Sequence, residues 1–338
     1  MRERAVILAG DIGGTKTVLA LYSAERGVAG GAVQEARFDS GKYDSLEAVI
    51  REFLKDTGVT PSVAAFGVAG PVEGGHSQIT NLSWAIDGEA IGAAFGIPRV
   101  FLLNDLESIA LAVPRLQGDD LATLSPGAGE ARGNRVVVAP GTGLGIGFLI
   151  WDGKGYRAQA SEAGHTSFAP RSAVEIRLLE HLTARYGHVS FERVCSGSFL
   201  PNIYDFLRQG GSYAEPDWLR QELEGAEDRT PVIVQAALAH RADLCEATLD
   251  IFVSALGTVA GNMALSLLAT GGIYLGGGIP PRIQARLRRP DFLGAIADKG
   301  RFGDFVADIP VHVIRDPKVA LHGAAWFAQD SLAGGRHP

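Results

Sequence analysis

Two stretches of this 338-residue chain combine glycine-rich turns with hydroxyls and charge. The first is Gly10-Asp11-Ile12-Gly13-Gly14-Thr15-Lys16; the second runs from Pro140 through Gly141-Thr142-Gly143-Leu144-Gly145 to Gly147. Successive N–H groups in such a turn form a concavity that suits phosphate oxygens. Thr15, Lys16 and Thr142 add side-chain donors. Asp11, beside the first turn, could hold a metal ion directly or through water, since Mg²⁺ takes few carboxylates and keeps several waters. Either turn alone reads as readily as a plain tight hairpin, but two turns that each carry Gly-Thr favour an anion site. A P-loop is excluded because it joins a strand to a helix with G-x-x-x-x-G-K-[ST], whereas Lys16 follows Thr15 and leads into a strand. A dinucleotide fingerprint fails in the same way: it opens a helix with G-x-G-x-x-G.

Carboxylates supply the second set of reactive groups. Asn104-Asp105 closes the apolar run Val100-Phe101-Leu102-Leu103. At the carboxyl end of a strand in an open α/β sheet, polar residues face the binding crevice. The same pair would serve equally well as the N-cap of a helix over 106–111. Glu162-Ala163-Gly164-His165 and Glu192-Arg193-Val194 add two more carboxylates and an imidazole. Convergent groups of this kind match sugar hydroxyls, each of which both donates and accepts. His181 and His188 read as structural or surface residues.

Positioning these groups requires a regular scaffold. Apolar runs predict strands over 5–9, 17–22, 63–68, 100–103, 135–139 and 148–151. Leu46, Val49, Ile50, Phe53 and Leu54 share one helical face; Asp44 and Glu47 have capping-box spacing at its start, and Gly58 follows its end. Further helices are expected over 173–186, closed by Gly187, and over 319–331. The strand–glycine turn–strand unit recurs after about 130 residues, which indicates two related halves of α/β type. No low-complexity linker separates them, so a hinge is expected between them.

Composition removes several classes of function. A net charge of −7 disfavours a general attraction to nucleic acid or anionic membrane. The densest basic stretch, Arg282 to Arg289, reads as a solvated helix face. Cys195 and Cys245, the only cysteines, make neither a disulfide framework nor a four-ligand zinc pattern, and they fit a reducing cytoplasm. Met1-Arg2-Glu3-Arg4 and the short apolar run after it do not form a signal peptide. From Ile251 to Pro281 no charged residue occurs, a length that raises a membrane-spanning reading. Asn262 and the Gly271-Gly272 break argue instead for a buried helix over 251–269 followed by a strand at 273–275.

The ordered set Gly10-Asp11-Ile12-Gly13-Gly14-Thr15, Leu103-Asn104-Asp105, Gly141-Thr142-Gly143-Leu144-Gly145, Glu162-Ala163-Gly164-His165, Glu192-Arg193-Val194 and Gly276-Gly277-Gly278-Ile279 resembles the bacterial glucokinase family. This is the hexokinase branch of the sugar kinase, Hsp70 and actin superfamily. Thr80-Asn81-Leu82-Ser83-Trp84 and Asp298-Lys299-Gly300-Arg301-Phe302 extend the resemblance over essentially the whole chain. It implies a two-domain α/β fold of ribonuclease H-like type with an interdomain cleft. The small domain would comprise 1–113 plus 318–338, and the large domain 114–317. The implied reaction is ATP-dependent phosphorylation of glucose at its 6-hydroxyl, with Asp105 as base and Asn104, Asp105, Glu162, His165 and Glu192 on the sugar. Asp11, Gly13, Gly14, Thr15, Lys16, Gly141, Thr142, Gly143, Gly277 and Gly278 would hold ATP, with Mg²⁺ reached from Asp11 through water. A homodimer is implied as well. Lys16 stands where the family often has Asn, and a lysine there still meets phosphate as a point charge. The cysteine-rich zinc motif of the related ROK kinases is missing, which favours the glucokinase group proper.

A loose phosphoryl-transfer transition state asks mainly for positioning and charge neutralisation, and a hinge closing on the sugar would exclude water. Kinases for other hexoses are rivals within the class. A sugar-sensing regulator is the rival outside it, and it would need a helix-turn-helix segment for which no residues precede the first strand.

Overall fold

The computed structural model describes residues 5–79, 82–130 and 132–334. Met1-Arg2-Glu3-Arg4 and the Thr80-Asn81 pair of the family stretch lie outside the described residues. The chain forms two compact units: Met1–Gln117 with Asp152–Ala160 and Asp316–Pro338, and Gly118–Trp151 with Ser161–Arg315.

The first unit contains β1 (Val6–Ile12), β2 (Lys16–Ser23), β3 (Gln34–Asp39), α1 (Leu46–Leu54) and β4 (Val63–Val68). A small three-stranded sheet follows, made of β5 (Val72–Glu73), β6 (His76–Gln78) and β7 (Ala85–Asp87). Then come α2 (Gly88–Phe95), β8 (Val100–Asn104), α3 (Asp105–Ala112) and, from the end of the chain, the last helix, Val319–Leu332. The main sheet has the order β3-β2-β1-β4-β8. Its central strands are buried on both faces, so they read as continuous apolar runs. Leu8, Ile12, Leu19, Phe66 and Val68 pack with Leu46, Val49, Ile50 and Phe53 of α1. Ile7, Ala9, Ala20 and Ala65 pack on the opposite side with Leu321, Ala324, Ala325 and Ala328 of the last helix.

The second sheet is built from β9 (Leu121–Ser125), β10 (Arg135–Pro140), β11 (Leu144–Trp151), β12 (Tyr156–Ser161), β13 (Gly272–Leu275) and β14 (Val311–Ile314). Its order is β12-β11-β10-β13-β14-β9. Around it come α4 (Ala173–Tyr186), α5 (Leu200–Gln209), α6 (Asp217–Glu224), α7 (Arg229–Leu238), α8 (Asp243–Leu267), α9 (Gln284–Leu287), α10 (Pro290–Ala297) and α11 (Gly303–Ala307), so the last helix is α12. Both sheets repeat one scheme: an antiparallel hairpin whose first strand runs parallel to a later one, β1 with β4 and β10 with β13.

Several sequence expectations need correction. Both glycine turns are shorter than composition suggested. Ladder pairing continues through Gly10↔Leu19, Asp11↔Val18 and Ile12↔Thr17, which leaves only 13–15 as turn. In the second hairpin Gly145 and Gly147 are strand residues paired with Ala139 and Val137. Helix α1 is capped by Ser45, whose side chain accepts from Ala48 N, and not by Asp44. The apolar helix starts at Asp243, eight residues before the uncharged run; Asp243 and Glu246 favour the positive end of its dipole. It is the one described helix long and apolar enough to cross a bilayer, and 78% of its apolar window is buried. Its core contacts include a close approach to α10, where a Cβ at Gly257 would fall 2.6 Å from that of Ala295. The basic stretch is not uniformly solvated, since Arg286 is buried and ion-paired with Asp250.

Candidate active site

In the first unit the turn between β1 and β2 is held from behind. Gly13 N donates to Lys16 O at 2.9 Å and Ser40 N to Thr15 O at 3.1 Å. The buried Ser40 hydroxyl donates to Gly13 O at 2.8 Å and lies 3.0 Å from Thr17 Oγ1. Gly13, Gly14 and Lys16 are half-buried while Thr15 is exposed. Asp11 sits in β1 between Val18 of β2 and Gly67 of β4. Burial pushes its carboxyl above the ordinary value, with the Lys16 charge pulling the other way.

Asn104 ends β8 and caps α3, so the cap reading of this pair holds together with its placement at a strand's carboxyl end. Asn104 Oδ1 accepts from Leu106 N at 3.0 Å, and its Nδ2 donates to Gly70 O at 3.0 Å. One Nδ2 proton and one Oδ1 lone pair remain for another partner. Asp105 is the first residue of α3, and its Oδ1 accepts from Leu106 N at 2.9 Å. Glu107 completes a capping box by accepting from Asn104 N at 3.4 Å. Burial raises its carboxyl, and that N–H lowers it.

In the second unit the predicted residues form one hydrogen-bonded assembly. The turn between β10 and β11 is closed by Gly141 N on Gly143 O at 2.8 Å. Segment 192–198 grips it: Gly197 N donates to Gly141 O at 2.7 Å and Ser198 N to Thr142 O at 3.2 Å. Glu192 Oε2 accepts from Leu144 N at 3.0 Å. Glu162 precedes the 3-10 turn Ala163–His165, which lies against β11 so closely that a Cβ at Gly164 would fall 2.0 Å from Leu144 O. Glu192 N donates to Gly164 O at 3.0 Å. The exposed side chains of Glu162 and His165 stand 3.7 Å apart. After β13, Gly276 N bonds Val138 O at 3.0 Å and Ile279 N bonds Pro140 O at 3.3 Å, which sets this glycine run beside the same turn. Gly277 has φ +77°, and a Cβ there would meet Pro140 O at 2.6 Å, whereas Gly278 faces open space.

Sequence reasoning missed three supports: Ser40, Glu107 and the small-residue run 196–198. In that run the Thr230 hydroxyl donates to Gly197 O at 2.6 Å. The available signals were the short polar run Ser196-Gly197-Ser198 just after Glu192-Arg193-Val194 and the capping-box spacing of Asn104 with Glu107; Ser40 carries none. The cysteines are not nucleophiles, for both are buried, and burial pushes the Cys245 thiol up to about 12.

Comparison with known proteins bears on the fold and the family. The family model described as Glucokinase matches residues 8–331. The glucokinase of Nostoc punctiforme is 37% identical over 336 residues, covering 96% of this chain and 98% of that protein. That of Chromobacterium violaceum is 38% identical over 331 residues, covering 96% and 90%. The crystal structure of a glucokinase from an Antarctic psychrotroph matches with a TM-score of 0.84 at 29% identity, covering 96% of this chain and 99% of that one. A ROK family glucokinase from Streptomyces griseus, solved with glucose and AMPPNP, shares the fold with a TM-score of 0.64 at 18% identity, covering 96% and 100%. A match that runs from β1 into α12, with relatives similar over nearly their full length, leaves one assignment: the chain belongs to the glucokinase family.

Proposed function

We propose that the chain transfers the γ-phosphoryl group of ATP to the 6-hydroxyl of glucose, with Asp105 as general base. The sugar oxygen attacks the γ-phosphorus, its proton passes to Asp105, and the bond to the β-phosphate oxygen breaks to release ADP. Asn104, Glu162, His165 and Glu192 orient the ring so that the 6-hydroxyl faces the nucleotide. The turns at 13–16 and 141–143, together with Gly277 and Gly278, receive ATP. The observation that carries this reading is the assembly in which Glu192 Oε2 accepts from Leu144 N, just beyond the Gly141–Gly143 turn, while Glu192 N donates to Gly164 O between Glu162 and His165. It sets polar groups fit for a sugar against backbone N–H groups fit for phosphate. Support from relatives is of the same kind: a Balamuthia mandrillaris glucokinase was solved with glucose, and the Streptomyces griseus protein with glucose and AMPPNP.

Mg²⁺ enters with ATP as part of the substrate and neutralises charge on the phosphate oxygens. Asp11 fits it as a single half-buried carboxylate at the phosphate turn, reached through water. A carboxyl whose pKa is raised by folding contributes stability that is whole below its unfolded value of 3.8 and is lost as pH rises through the folded value. Above 3.8 the unfolded carboxyl ionises freely while burial opposes ionisation in the folded chain, so the contribution shrinks as pH rises. Asp11→Asn is therefore expected to raise the Tm of the ligand-free protein at neutral pH, with the gain vanishing toward acid pH, while KM for Mg·ATP rises. Thermal scans across pH beside steady-state kinetics check both halves. A neutral-pH Tm that falls would remove the burial argument.

A cytoplasmic homodimer belongs to the same proposal. The deciding experiment is ADP release from Mg·ATP across a panel of hexoses with a no-sugar control. Strong turnover with glucose supports the proposal. Turnover confined to another hexose overturns the substrate, and glucose binding without turnover on any sugar favours a sensor.

A further inference from the structure

Glu192 and Gly143 stand closer than any other residue at 143 would permit. A Cβ at 143 would lie 2.6 Å from Glu192 Oε2 and 3.5 Å from its carboxyl carbon. That oxygen accepts from Leu144 N, the first N–H of β11 beyond the turn. Glu192 Oε1 makes no hydrogen bond among the described residues. Gly141 differs from Gly143, because a Cβ there would meet nothing within 4 Å. The requirement for a missing side chain at 143 thus comes from the carboxylate and not from crowding by backbone.

We infer that Glu192 couples sugar binding to nucleotide binding, with Gly143 as the seat for its carboxylate. This rests on the glucokinase reading of Glu192. The two oxygens of a carboxylate are rigidly joined, so holding Oε2 on Leu144 N fixes where Oε1 points. Sugar hydroxyls drawn to Oε1 therefore find it already aimed. Phosphate oxygens engaging the turn shift or stiffen the N–H that carries Oε2. Segment 192–198 transmits the same constraint through Gly197 N on Gly141 O and Ser198 N on Thr142 O. Each ligand then meets a site that the other has ordered, and the coupling is reciprocal by linkage.

The test measures affinity of the full chain for Mg·AMPPNP by calorimetry, with and without saturating glucose, and for glucose with no nucleotide present. In the wild type the two ligands should tighten each other by a common factor of about 5–150. Gly143→Ala should weaken glucose about tenfold or more in the absence of nucleotide, through loss of a charge-assisted hydrogen bond. It should also bring the coupling factor close to one. Should that variant fail to fold, Glu192→Gln and Glu192→Asp replace it. The amide oxygen of Gln still reaches Leu144 N and keeps the coupling, while the shorter Asp does not reach and loses it. Independent binding of the two ligands to the wild type overturns the inference but leaves the kinase reading standing. So does a Gly143→Ala protein that loses only nucleotide affinity. A wild type that binds no glucose overturns both.

Discussion

Asp105→Asn is expected to lower kcat by about 10²–10⁴-fold, the usual share of general-base assistance, while glucose affinity stays within a few-fold of wild type. The substitution is nearly isosteric, and the fold should not register it. Asp105 Oδ1 accepts from Leu106 N at 2.9 Å, and the amide oxygen of Asn can accept the same proton. The neighbouring cap, Asn104 Oδ1 on Leu106 N with Glu107 on Asn104 N, is untouched. What the variant loses is the ability to take the proton of the 6-hydroxyl. Steady-state turnover beside calorimetric glucose binding separates the two effects. Near-full turnover with intact binding would remove Asp105 from the base role, and a matching loss of binding would mark it as a sugar contact only.

Much of the scaffold was legible because its signals are local. Strands β1, β2, β4 and β8 carry short apolar runs, and the amphipathic pattern of Leu46, Val49, Ile50 and Phe53 placed α1, whereas the polar edge strand β3, Gln34–Asp39, gave no such signal. Gly187, expected to close the helix over 173–186, is the C-cap of α4, while the capping box of Ser172 with Glu175 at its start emerged only in the structure. Errors arose where pairing across the hairpin overrode composition. Gly10, Gly145 and Gly147 look like turn residues, yet they continue ladders because a Cβ-free strand can pass closely over its neighbours. At Gly10 an added Cβ would lie 2.6 Å from Phe66 Cδ1, so the glycine serves packing beneath Asp11 and not the turn.

The candidate site was legible as residue types and order but not as an assembly. Glu162, His165 and Glu192 read as separate polar residues, and nothing in their spacing reveals that Glu192 reaches back 48 positions to Leu144. Ser40 belongs to no motif, although it ties the first glycine turn to the end of β3 through Gly13 O and Thr17. Such links depend on which strands become neighbours. The sheet order β3-β2-β1-β4-β8 decides that, and no single segment encodes it.

Gly323→Ala is expected to be the most damaging substitution away from the predicted ligand contacts. A Cβ at 323 would fall 1.8 Å from Ser108 O and 2.6 Å from Ser108 C, both backbone atoms of α3. No rotamer change relieves a clash with backbone, so α12 or α3 must move as a body. Retreat of α3 toward the sheet is blocked, because Ser108 Oγ already lies 2.7 Å from where a Cβ of Gly67 would stand. Overpacking of this kind costs about 1–3 kcal/mol, equivalent to a fall in Tm of roughly 2–4 °C for each kcal/mol in a domain of this size. The functional loss should be larger than the stability loss implies, since α3 begins at Asp105 and a misplacement of about 1 Å at a reacting group costs about 10²-fold. The expected outcome is a kcat lowered about a hundredfold with glucose affinity nearly kept. Gly294→Ala is the contrast: it sits within α10 with nothing inside 4 Å, and it should stabilise by about 0.4–1 kcal/mol with turnover unchanged. A Gly323→Ala protein with wild-type Tm and turnover would mean that α12 does not set the position of Asp105.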